Sequence, residues 1–479
     1  MTVYRLLEDL LAHDILCKSS TFDPALPCAS PCRDSRRIQP GDVFFCIRGP
    51  QFDGHTALSD AAHRGAVCAV LEDPAAGDTC PVPWIAVRDS AAAFLSACLA
   101  QNGHPEHGMT LIAVTGTNGK TSVTYMLEAI FRHAGHRCAV FGTVENRIDG
   151  TAFPSPNTTP APELLAEHLR LAREKNVSAV LMEVSSHALA QRRLSGLHFD
   201  YGIFTNLTED HLDYHRTMED YFACKRQLFL SCDTMLINAD DPHGKRLLAD
   251  PALPDTRYAV TPYSDAGDYT AAFLPEDLRT GCCDFVAANR LLAAACAVLA
   301  GISPGTAFAA LHAMPPIPGR MECIRETPFS VYIDYAHTPD ALERALHGLR
   351  AQKMPGTRLL VLFGCGGDRE REKRPKMGAI AASAADLAVI TADNSRSEDV
   401  RDIIADILSG VAQAQRGKCR VVCDRRDAIY EILSLAAPGD CVLLAGKGHE
   451  TCQTDRLGTH PFSERAAVGA YFETHGNLQ

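Results

Sequence analysis

Residues 113–122, which read AVTGTNGKTS, decide the fold of the central part of this chain. An apolar run ends here and an amphipathic run begins, which is the order strand, glycine turn, helix. In that arrangement backbone N–H groups and a helix N-terminus face one small space that suits a polyphosphate. Lys120 lies beside this space, and Thr121 follows where a hydroxyl can bind the accompanying Mg²⁺. The stretch therefore predicts ATP binding.

The spacing of this stretch departs from the usual P-loop. Val114 stands at the position of the first glycine, and Gly116 and Gly119 bracket a shorter loop. An ordinary strand-to-helix turn with an exposed lysine is the plain alternative. Because the strand, both glycines, Lys120 and Thr121 coincide, nucleotide binding is the favoured interpretation.

The composition predicts a globular protein of several domains. A chain of 479 residues, 46% of them hydrophobic, can form about two to four domains with large cores. The 58 acidic residues outnumber the 46 Lys and Arg, and no long basic run occurs, so neither nucleic acid nor an anionic membrane is an expected partner. The N-terminus lacks a signal-peptide pattern and no apolar run is long enough to span a bilayer, which predicts a cytoplasmic protein. A monomer is the default expectation.

The cysteine usage points to a reducing compartment. The 19 cysteines are scattered, and many lie within apolar runs, such as Cys68 and Cys138. They predict reduced thiols used as small hydrophobes, and no ligand spacing supports a zinc site.

Strand and helix patterns predict an α/β protein of three domains. Residues 1–104 alternate a leading helix with short strands and helices, which indicates a small α/β domain. Residues 105–318 alternate buried strands with helices around the glycine turn, which predicts a P-loop domain with a parallel, doubly wound sheet. Residues 319–479 repeat a strand followed by a polar turn and predict a second, Rossmann-like sheet.

Polar side chains follow several strands of the predicted central sheet. Lys120, Glu183 and His211 each lie just past the carboxyl end of a strand. Taken singly, Glu183 could be a helix cap and His211 a turn histidine. Because these strand ends meet at one edge of a parallel sheet, we expect the three side chains to converge and to support Mg²⁺.

Eight stretches carry a resemblance to a known family: TGTNGKTS, MEVSSHAL, NLTEDHLDYH, YFACKRQLF, DYAHTPDAL, FGCGGDR, DNSR and GKGHE. In this order they are similar to the Mur ligases, the ATP-dependent amino-acid ligases of peptidoglycan synthesis. The resemblance covers essentially the whole chain. It implies that ATP and Mg²⁺ convert the D-glutamyl carboxylate of UDP-N-acetylmuramoyl-L-alanyl-D-glutamate to an acyl phosphate, from which the amine of a diamino acid displaces phosphate. Residues 1–104 would then bind the UDP-sugar, 105–318 ATP and 319–479 the incoming amino acid.

The resemblance also implies which residues serve ATP and the metal. The ATP-binding positions are Gly116, Thr117, Asn118, Gly119, Lys120, Thr121, Ser122, Asn289, Arg320, Asp334 and His337. The catalytic positions are Lys120, Glu183, His211, Lys225 and Arg320, and the metal positions are Thr121, Glu183, His211 and Lys225. In this family that lysine is carbamylated, which requires a neutral amine and hence a pKa lowered by burial or by nearby positive charge. From the sequence alone Lys225 is a helix lysine that we expect to be exposed.

The remaining implied positions contact the substrates. The UDP-sugar dipeptide is expected at Ser35, Gln51, Phe52, Asn157, Thr158, Thr159, Ser185, Gln191 and Arg193. The incoming amino acid is expected at Arg369, Asp393, Asn394, Ser395, Arg396, Gly446 and Glu450. Arg396 can clamp a carboxylate in bidentate fashion and Glu450 can pair with an ammonium. Arg396 therefore favours meso-diaminopimelate, because lysine lacks the second carboxylate.

Departures from the family pattern keep alternatives open. Ser395 replaces the proline of the usual diaminopimelate-specific DNPR quartet. Together with the acids Glu398 and Asp399, it leaves L-lysine and L-ornithine as alternative substrates. The stretch 241–289 is short, and Val286 stands where an asparagine is usual. A peripheral hairpin and one nucleotide contact are therefore in doubt.

Two other functions compete with this interpretation. A folylpolyglutamate synthase has the same ATP chemistry, but it starts near its P-loop and so lacks a segment like 1–104. A non-catalytic P-loop protein that uses nucleotide as a signal would carry a guanine-specifying NKxD motif, which is absent from the sequence. Since acyl phosphates hydrolyse readily, and since Arg320 and Asp334 lie across a domain junction from the glycine turn, we also expect the third domain to close over the central one.

Overall fold

The computed structural model describes residues 2–3, 5, 16–20, 23, 25–49, 52–280 and 283–475. Within these ranges the chain forms three large sheets in sequence order and one small hairpin. Most of the expected leading helix, and the expected uridine contact Gln51, lie outside the described residues. None of the helices described is both long and apolar enough to cross a bilayer.

The first sheet has the strand order β1-β5-β4-β3-β2 in the described part of the chain, and only β1 pairs antiparallel. The longest helix described in this segment, Ser90–Gln101, is capped by Asp89 and buried along most of its length. The strands are β1 (Leu16–Ser19), β2 (Pro31–Cys32), β3 (Val43–Phe45), β4 (Cys68–Leu71) and β5 (Trp84–Val87). The α- and 3₁₀-helices described in this segment are Ser35–Arg37, Gly54–Ala57, Leu58–His63, Pro74–Thr79 and Ser90–Gln101.

The central sheet has the order β14-β13-β12-β11-β6-β10-β7-β8-β9, and it is parallel except for β8 and β9 at one edge. Helices cover both faces, so β6 and β10 are almost wholly buried and read as continuous apolar runs. The short stretch 241–289 extends the parallel edge with β13 and β14. The strands are β6 (Thr110–Thr115), β7 (Cys138–Phe141), β8 (Asn146–Ile148), β9 (Thr151–Phe153), β10 (Ala179–Glu183), β11 (Phe199–Phe204), β12 (Cys232–Asn238), β13 (Arg257–Thr261) and β14 (Tyr269–Thr270). The helices are Lys120–His133, Pro162–Glu174, Ser186–Ala190, Leu212–His215, Met218–Phe229, Pro242–Leu248, Ala271–Phe273, Glu276–Arg279, Asp284–Leu299 and Pro304–Ala313.

The third sheet has the order β15-β16-β20-β17-β18-β19, with only β15 antiparallel among the strands described. A hairpin of β21 and β22 follows it. The strands are β15 (Glu322–Arg325), β16 (Ser330–Asp334), β17 (Leu359–Phe363), β18 (Leu387–Ile390), β19 (Cys419–Val421), β20 (Cys441–Ala445), β21 (Cys452–Asp455) and β22 (Gly458–Pro461). The helices are Pro339–Gln352, Lys373–Ala384, Val400–Ser409, Gln413–Lys418, Arg425–Leu435 and Glu464–His475. The predicted three-domain α/β architecture is thus confirmed.

Polar contacts join the segments that carry the three sheets. Arg33 pairs with Glu163 at 2.9 Å, which ties the first segment to the central one. Asn118 donates to Asp340 Oδ2 at 3.1 Å, which ties the glycine loop to the first long helix of the third segment. The loop that binds phosphate in the prediction is therefore covered by the C-terminal part of the chain.

Cysteines within apolar runs of the sequence are buried in the core, as small hydrophobic residues would be. Cys68 and Cys138 are buried in strands of the first and central sheets, and neither forms a disulfide. Burial raises the pKa of both thiols to about 12, so they remain protonated and inert near neutral pH.

Candidate active site

The glycine loop between β6 and helix Lys120–His133 wraps tightly. Gly116 and Gly119 have φ angles of +151° and +90°. A Cβ at Gly116 would lie 1.9 Å from Thr205 Oγ1, and a Cβ at Gly119 would lie 2.6 Å from Asn289 Oδ1. Only glycine fits both the backbone angle and the close approach, so both loop glycines are required by the fold.

The side chain of Lys120 folds back over this loop. Its Nζ donates to the carbonyl oxygens of Gly116 and Thr117, each at 3.0 Å. Burial lowers the pKa of Lys120, although the charges of Glu183 and Asp210 oppose that change. The ammonium is thus held within the loop that would receive a phosphate.

One cleft of about 650 Å³ lies between the central and third sheets. It brings together most of the residues that the sequence predicted for ATP, the metal and the substrates. Those that line it are Thr117, Asn118, Gly119, Lys120, Thr121, Ser122, Asn157, Thr158, Glu183, Ser185, Arg193, His211, Asn289, Arg320, Asp334, His337, Arg369 and Glu450. The predicted convergence of Lys120, Glu183 and His211 at one sheet edge is observed.

Glu183 ends β10 and is only 1% exposed. Its carboxylate accepts from the hydroxyl of Thr121 at 2.9 Å and from the hydroxyl and backbone N–H of Thr143, both at 2.9 Å. It is no helix cap, because Ser185 caps the helix that follows. Among the described residues no cation pairs with this buried carboxylate, which leaves it suited to a divalent cation.

His211 begins a short helix with a left-handed backbone, φ +56°. Its Nε2 lies 3.3 Å from Asp210 Oδ2, and its ring stands edge-on to that of His187 at 4.7 Å between centroids. Burial lowers the pKa of His211 although Asp210 opposes this, so the imidazole is neutral at pH 7. A neutral imidazole can accept a metal or a proton.

Lys225 corrects an expectation, since it is buried rather than exposed. The side chain is 1% exposed, and Nζ donates to the carbonyl oxygen of Gly116 at 2.9 Å. The ammonium also lies 4.8 Å from the centre of the Tyr221 ring. Burial, followed by the charge of Lys120, lowers the pKa of Lys225 well below its usual value. These are the conditions that carbamylation requires, behind the glycine loop rather than on the cleft wall.

The third segment contributes Arg320, Asp334 and His337 to the cleft. Arg320 Nη2 donates to Thr121 Oγ1 at 3.1 Å. Asp334, at the end of β16, accepts the backbone N–H groups of Met321 and Ala336, and burial raises its pKa. His337 Nδ1 lies 2.8 Å from the carbonyl oxygen of Tyr335, and burial lowers its pKa.

The expected dipeptide positions lie along one wall. Thr159 is fully buried and its hydroxyl donates to the Glu183 carbonyl at 2.9 Å, so it supports the wall without lining the cleft. Arg193 Nη1 donates to the Thr159 carbonyl at 3.0 Å, and Arg193 also donates to Gln191 Oε1. Burial lowers the pKa of Arg193. Gln191 therefore orients the arginine from behind.

The expected uridine contacts lie apart from the central cleft. Ser35 begins a 3₁₀-helix capped by Asp34, and Phe52 is 61% exposed. An aromatic ring left this exposed is available to stack on a ligand. Nothing in the first segment lines the cleft among the residues described.

The expected acceptor positions lie in the turns after β17, β18 and β20, and of these seven residues Arg369 and Glu450 line the cleft. Asn394 Nδ2 donates to Glu450 Oε2 at 3.0 Å, and Lys447 Nζ donates to the same oxygen at 2.8 Å. Arg396 has φ +50°, and its Nη1 donates to the carbonyl oxygens of Gly367 and Asn394. Burial, and then Arg369, lower the pKa of Arg396. The guanidinium groups of Arg369 and Arg396 thus lie close enough to influence each other electrostatically.

The three other acceptor positions support these side chains. Ser395 is 4% exposed, and Asp393 lies 3.9 Å from Arg425. A Cβ at Gly446, where φ is +113°, would lie 2.8 Å from Asp393 Oδ2. Burial disfavours the charged form of Asp393, but Arg425 and Lys447 outweigh it and lower its pKa.

Glu398 and Asp399, the two acids that left lysine and ornithine as alternative substrates, have structural partners. Glu398 accepts two hydrogen bonds from the buried guanidinium of Arg374, at 2.7 and 2.9 Å. Asp399 caps the helix Val400–Ser409 by accepting the backbone N–H of Arg401. Because Arg374 holds Glu398 and Asp399 caps a helix, both carboxylates already have partners other than a lysine ammonium.

Sequence reasoning missed several residues of the site. Thr143 holds Glu183, Asp340 holds the glycine loop, and Lys447 holds Glu450. Lys447 lies inside the GKGHE stretch and Asp340 inside the DYAHTPDAL stretch, which offered a signal, whereas Thr143 lies outside all eight stretches.

Models of protein families match three parts of the chain. The model of the Mur ligase family catalytic domain matches residues 33–102. The Mur ligase middle domain matches 114–281, and the Mur ligase glutamate ligase domain matches 319–448. The matches follow the order of the three sheets.

Individual relatives extend this similarity over most of the chain. The chain is 38% identical to the UDP-N-acetylmuramoyl-L-alanyl-D-glutamate–2,6-diaminopimelate ligase of Geobacter metallireducens, over 92% of this chain and 93% of the relative. It is 40% identical to the ligase of the same name from Chromobacterium violaceum, over 92% and 95%.

Solved structures of related enzymes share the fold of this chain. A structure of a ligase of that name superposes with a TM-score of 0.66 at 29% identity and covers 96% of this chain and 98% of its own. A folylpolyglutamate synthase of Mycobacterium tuberculosis complexed with ADP and AMPPCP gives 0.61 at 18% identity, over 80% of this chain and 94% of its own, and so shares the fold. With cleft, family models and relatives in agreement, the chain belongs to the Mur ligase family.

Proposed function

We propose that this enzyme uses ATP to join meso-diaminopimelate to the D-glutamyl carboxylate of UDP-N-acetylmuramoyl-L-alanyl-D-glutamate, a step of peptidoglycan precursor synthesis. The observation that carries the proposal is that Lys120, Arg193 and Glu450 line one cleft of about 650 Å³. A nucleotide, a substrate carboxylate and an incoming amine can therefore meet there. The names of the relatives support the same substrates.

The work is divided among the three segments. Residues 1–104 bind the UDP-sugar, with Ser35 and the exposed ring of Phe52 available to the nucleoside. Residues 105–318 bind ATP at the glycine loop. Residues 319–479 bind the incoming amino acid and supply Arg320 to the phosphates.

The residues at the cleft fit Mg²⁺. Glu183 is a buried carboxylate with hydroxyl and amide donors; Thr121 offers a hydroxyl beside it, and His211 offers an imidazole nitrogen in the same cleft. Lys225 would add a carboxylate once carbamylated, since burial lowers the pKa of its amine. When bound, Mg²⁺ supplies positive charge that offsets the repulsion between carboxylate and polyphosphate.

The chemistry consists of two displacements. A carboxylate oxygen of the substrate attacks the γ-phosphorus of ATP and ADP leaves; the neutral amine of the amino acid then attacks the acyl carbon, loses a proton and expels phosphate. Lys120 and Arg320 face the developing negative charge. The contacts of Asp340 with Asn118 and Thr208 hold the third segment over the loop and help to exclude water from the acyl phosphate.

The choice of amino acid follows from charge. Arg396 and Arg369 offer guanidinium groups to a second carboxylate, which diaminopimelate has and lysine lacks. The acids Glu398 and Asp399 are engaged elsewhere. The pocket therefore favours diaminopimelate over L-lysine and L-ornithine.

The test is phosphate release from ATP in the presence of UDP-N-acetylmuramoyl-L-alanyl-D-glutamate. Meso-diaminopimelate, L-lysine and L-ornithine are supplied in separate reactions, with Arg396→Ala alongside. Turnover with diaminopimelate that the substitution abolishes supports the proposal and the role of Arg396. Turnover with lysine or ornithine instead would refute the choice of amino acid, and no turnover with any of the three would refute the ligase.

A further inference from the structure

We infer that Lys447 is a positioning residue that sets the specificity of the acceptor pocket. It holds one carboxylate oxygen of Glu450, leaves the other oxygen facing the incoming amino acid, and balances the charge of that carboxylate. The inference rests on the proposed function, because it concerns the same pocket.

The geometry around Glu450 is asymmetric. Lys447 Nζ donates to Glu450 Oε2 at 2.8 Å and to Asn394 Oδ1 at 3.0 Å, while Asn394 Nδ2 donates to the same Glu450 Oε2 at 3.0 Å. Among the described residues no hydrogen bond reaches Glu450 Oε1, and Glu450 lines the cleft. One oxygen is thus fixed by two donors, and the other is available to an ammonium.

A turn after β20 brings Lys447 and Glu450 close together. Glu450 donates its backbone N–H to the Lys447 carbonyl at 3.0 Å, which closes a tight turn. Gly448 has φ +55°, and a Cβ there would lie 2.8 Å from that of Tyr335. The turn therefore directs the side chain of Lys447 inward, where it is wholly shielded from solvent.

A buried ammonium matters here through its charge as well as its hydrogen bonds. Lys447 and Glu450 form an ion pair at 2.8 Å that carries no net charge. The end of diaminopimelate that does not react carries both an ammonium and a carboxylate, whereas the end of lysine carries an ammonium alone. A neutral pair beside Arg396 and Arg369 suits the former. Without Lys447, Glu450 would carry an unbalanced negative charge that favours a simple cation.

The experiment compares Lys447→Met with wild type in steady-state phosphate release. Methionine keeps the length and loses the charge and the donors. Because a hydrogen bond to a charged group is lost, we expect the KM for meso-diaminopimelate to rise at least about tenfold, while the KM for ATP stays within about twofold. We also expect the ratio of kcat/KM for meso-diaminopimelate to that for L-lysine to fall.

Two further variants make the result decisive. Lys447→Gln keeps a donor without the charge, and it should give an intermediate KM and serve if the methionine variant fails to fold. Lys353→Met is the matched control, because Lys353 bonds a backbone carbonyl after helix Pro339–Gln352, at the far end of the sheet. It should leave every constant unchanged.

The outcomes separate the two proposals. If the wild type uses none of the diamino acids, the proposed function fails. If the wild type uses meso-diaminopimelate and the Lys447 variants change the constants for ATP, diaminopimelate and lysine in parallel, or change none, Lys447 has only a structural role and the inference is overturned.

Discussion

Arg320 Nη2 donates to Thr121 Oγ1 at 3.1 Å, which links the third segment to the first turn of the helix after the glycine loop. The same guanidinium lies 4.5 Å from the centre of the Tyr335 ring, which holds it in place. The hydroxyl that receives this bond also donates to Glu183. The arginine, the loop and the buried carboxylate therefore form one connected group.

We expect Arg320→Ala to lower kcat by about 10²–10³, since removing one preformed donor to developing charge has that effect in other enzymes. Binding of the UDP substrate should change little, because Arg320 lies on the nucleotide side of the cleft. The measurement is phosphate release at saturating substrates. Arg401→Ala, which removes an exposed arginine of helix Val400–Ser409, is the control. A kcat within about threefold of wild type would contradict the role of Arg320.

Wild-type activity should depend on carbon dioxide through Lys225. Burial and the charge of Lys120 lower the pKa of this amine, so the neutral form that reacts with CO₂ is favoured at neutral pH and is lost as the solution becomes acidic. We expect enzyme depleted of CO₂ at mildly acidic pH to lose activity and to regain it with bicarbonate at neutral pH.

Lys225→Ala should be inactive under both conditions and should regain partial activity with a small free carboxylate. Lys175→Ala is the control, because Lys175 bonds the hydroxyl of Thr151 far from the loop. Full activity of the Lys225 variant without any added carboxylate would rule out a carbamate at this position.

Glu398 should stabilise the fold in a pH-dependent way. Hydrogen bonds from Arg374 lower the pKa of Glu398 from 4.5 to about 2. A depressed pKa in the folded state contributes stability above the unfolded pKa and loses it as the pH falls from about 4.5 toward 2. After allowance for solvent screening, we expect Glu398→Gln to lower the free energy of unfolding by about 1–2 kcal/mol at pH 7.

Chemical denaturation of wild type and Glu398→Gln at pH 7 and pH 3 checks this sign. The difference between the two proteins should shrink at the lower pH. A difference that grows on acidification would mean that the pairing with Arg374 is not its source. The KM for the amino acid should change little, because Glu398 pairs with Arg374 and not with the acceptor side chains.

Phe52 should contribute to binding of the UDP-sugar and contribute little to the stability of the fold. Its ring is 61% exposed, so its removal costs little packing. Loss of one aromatic stacking contact should raise the KM for the UDP substrate about two- to tenfold in Phe52→Ala. The melting temperature and the KM for ATP should stay unchanged. Leu457→Ala, at a residue 88% exposed near the hairpin, is the control, and equal KM values in both variants would exclude stacking by Phe52.

Much of the active site followed from local sequence. The glycine loop is readable because Gly116 and Gly119 adopt backbone angles that other residues resist, and the flanking apolar periodicity marks a strand and a helix. The convergence of Glu183 and His211 with Lys120 could also be predicted, because the carboxyl ends of parallel strands share one edge of the sheet.

Only the tertiary structure decided which charges are buried and how they pair. From the sequence, Lys225 is expected to be an exposed helix lysine. In the structure it is buried and donates to the carbonyl of Gly116, 109 residues away. From the sequence, Glu398 is a candidate partner for an amine of the substrate. In the structure it accepts a hydrogen bond from the buried guanidinium of Arg374. From the sequence, Lys447 is one residue of a polar turn. In the structure it donates a hydrogen bond to the carboxylate of Glu450. Burial and pairing depend on segments distant in sequence that meet only when the sheets pack, whereas backbone conformation and periodicity are set by neighbours along the chain.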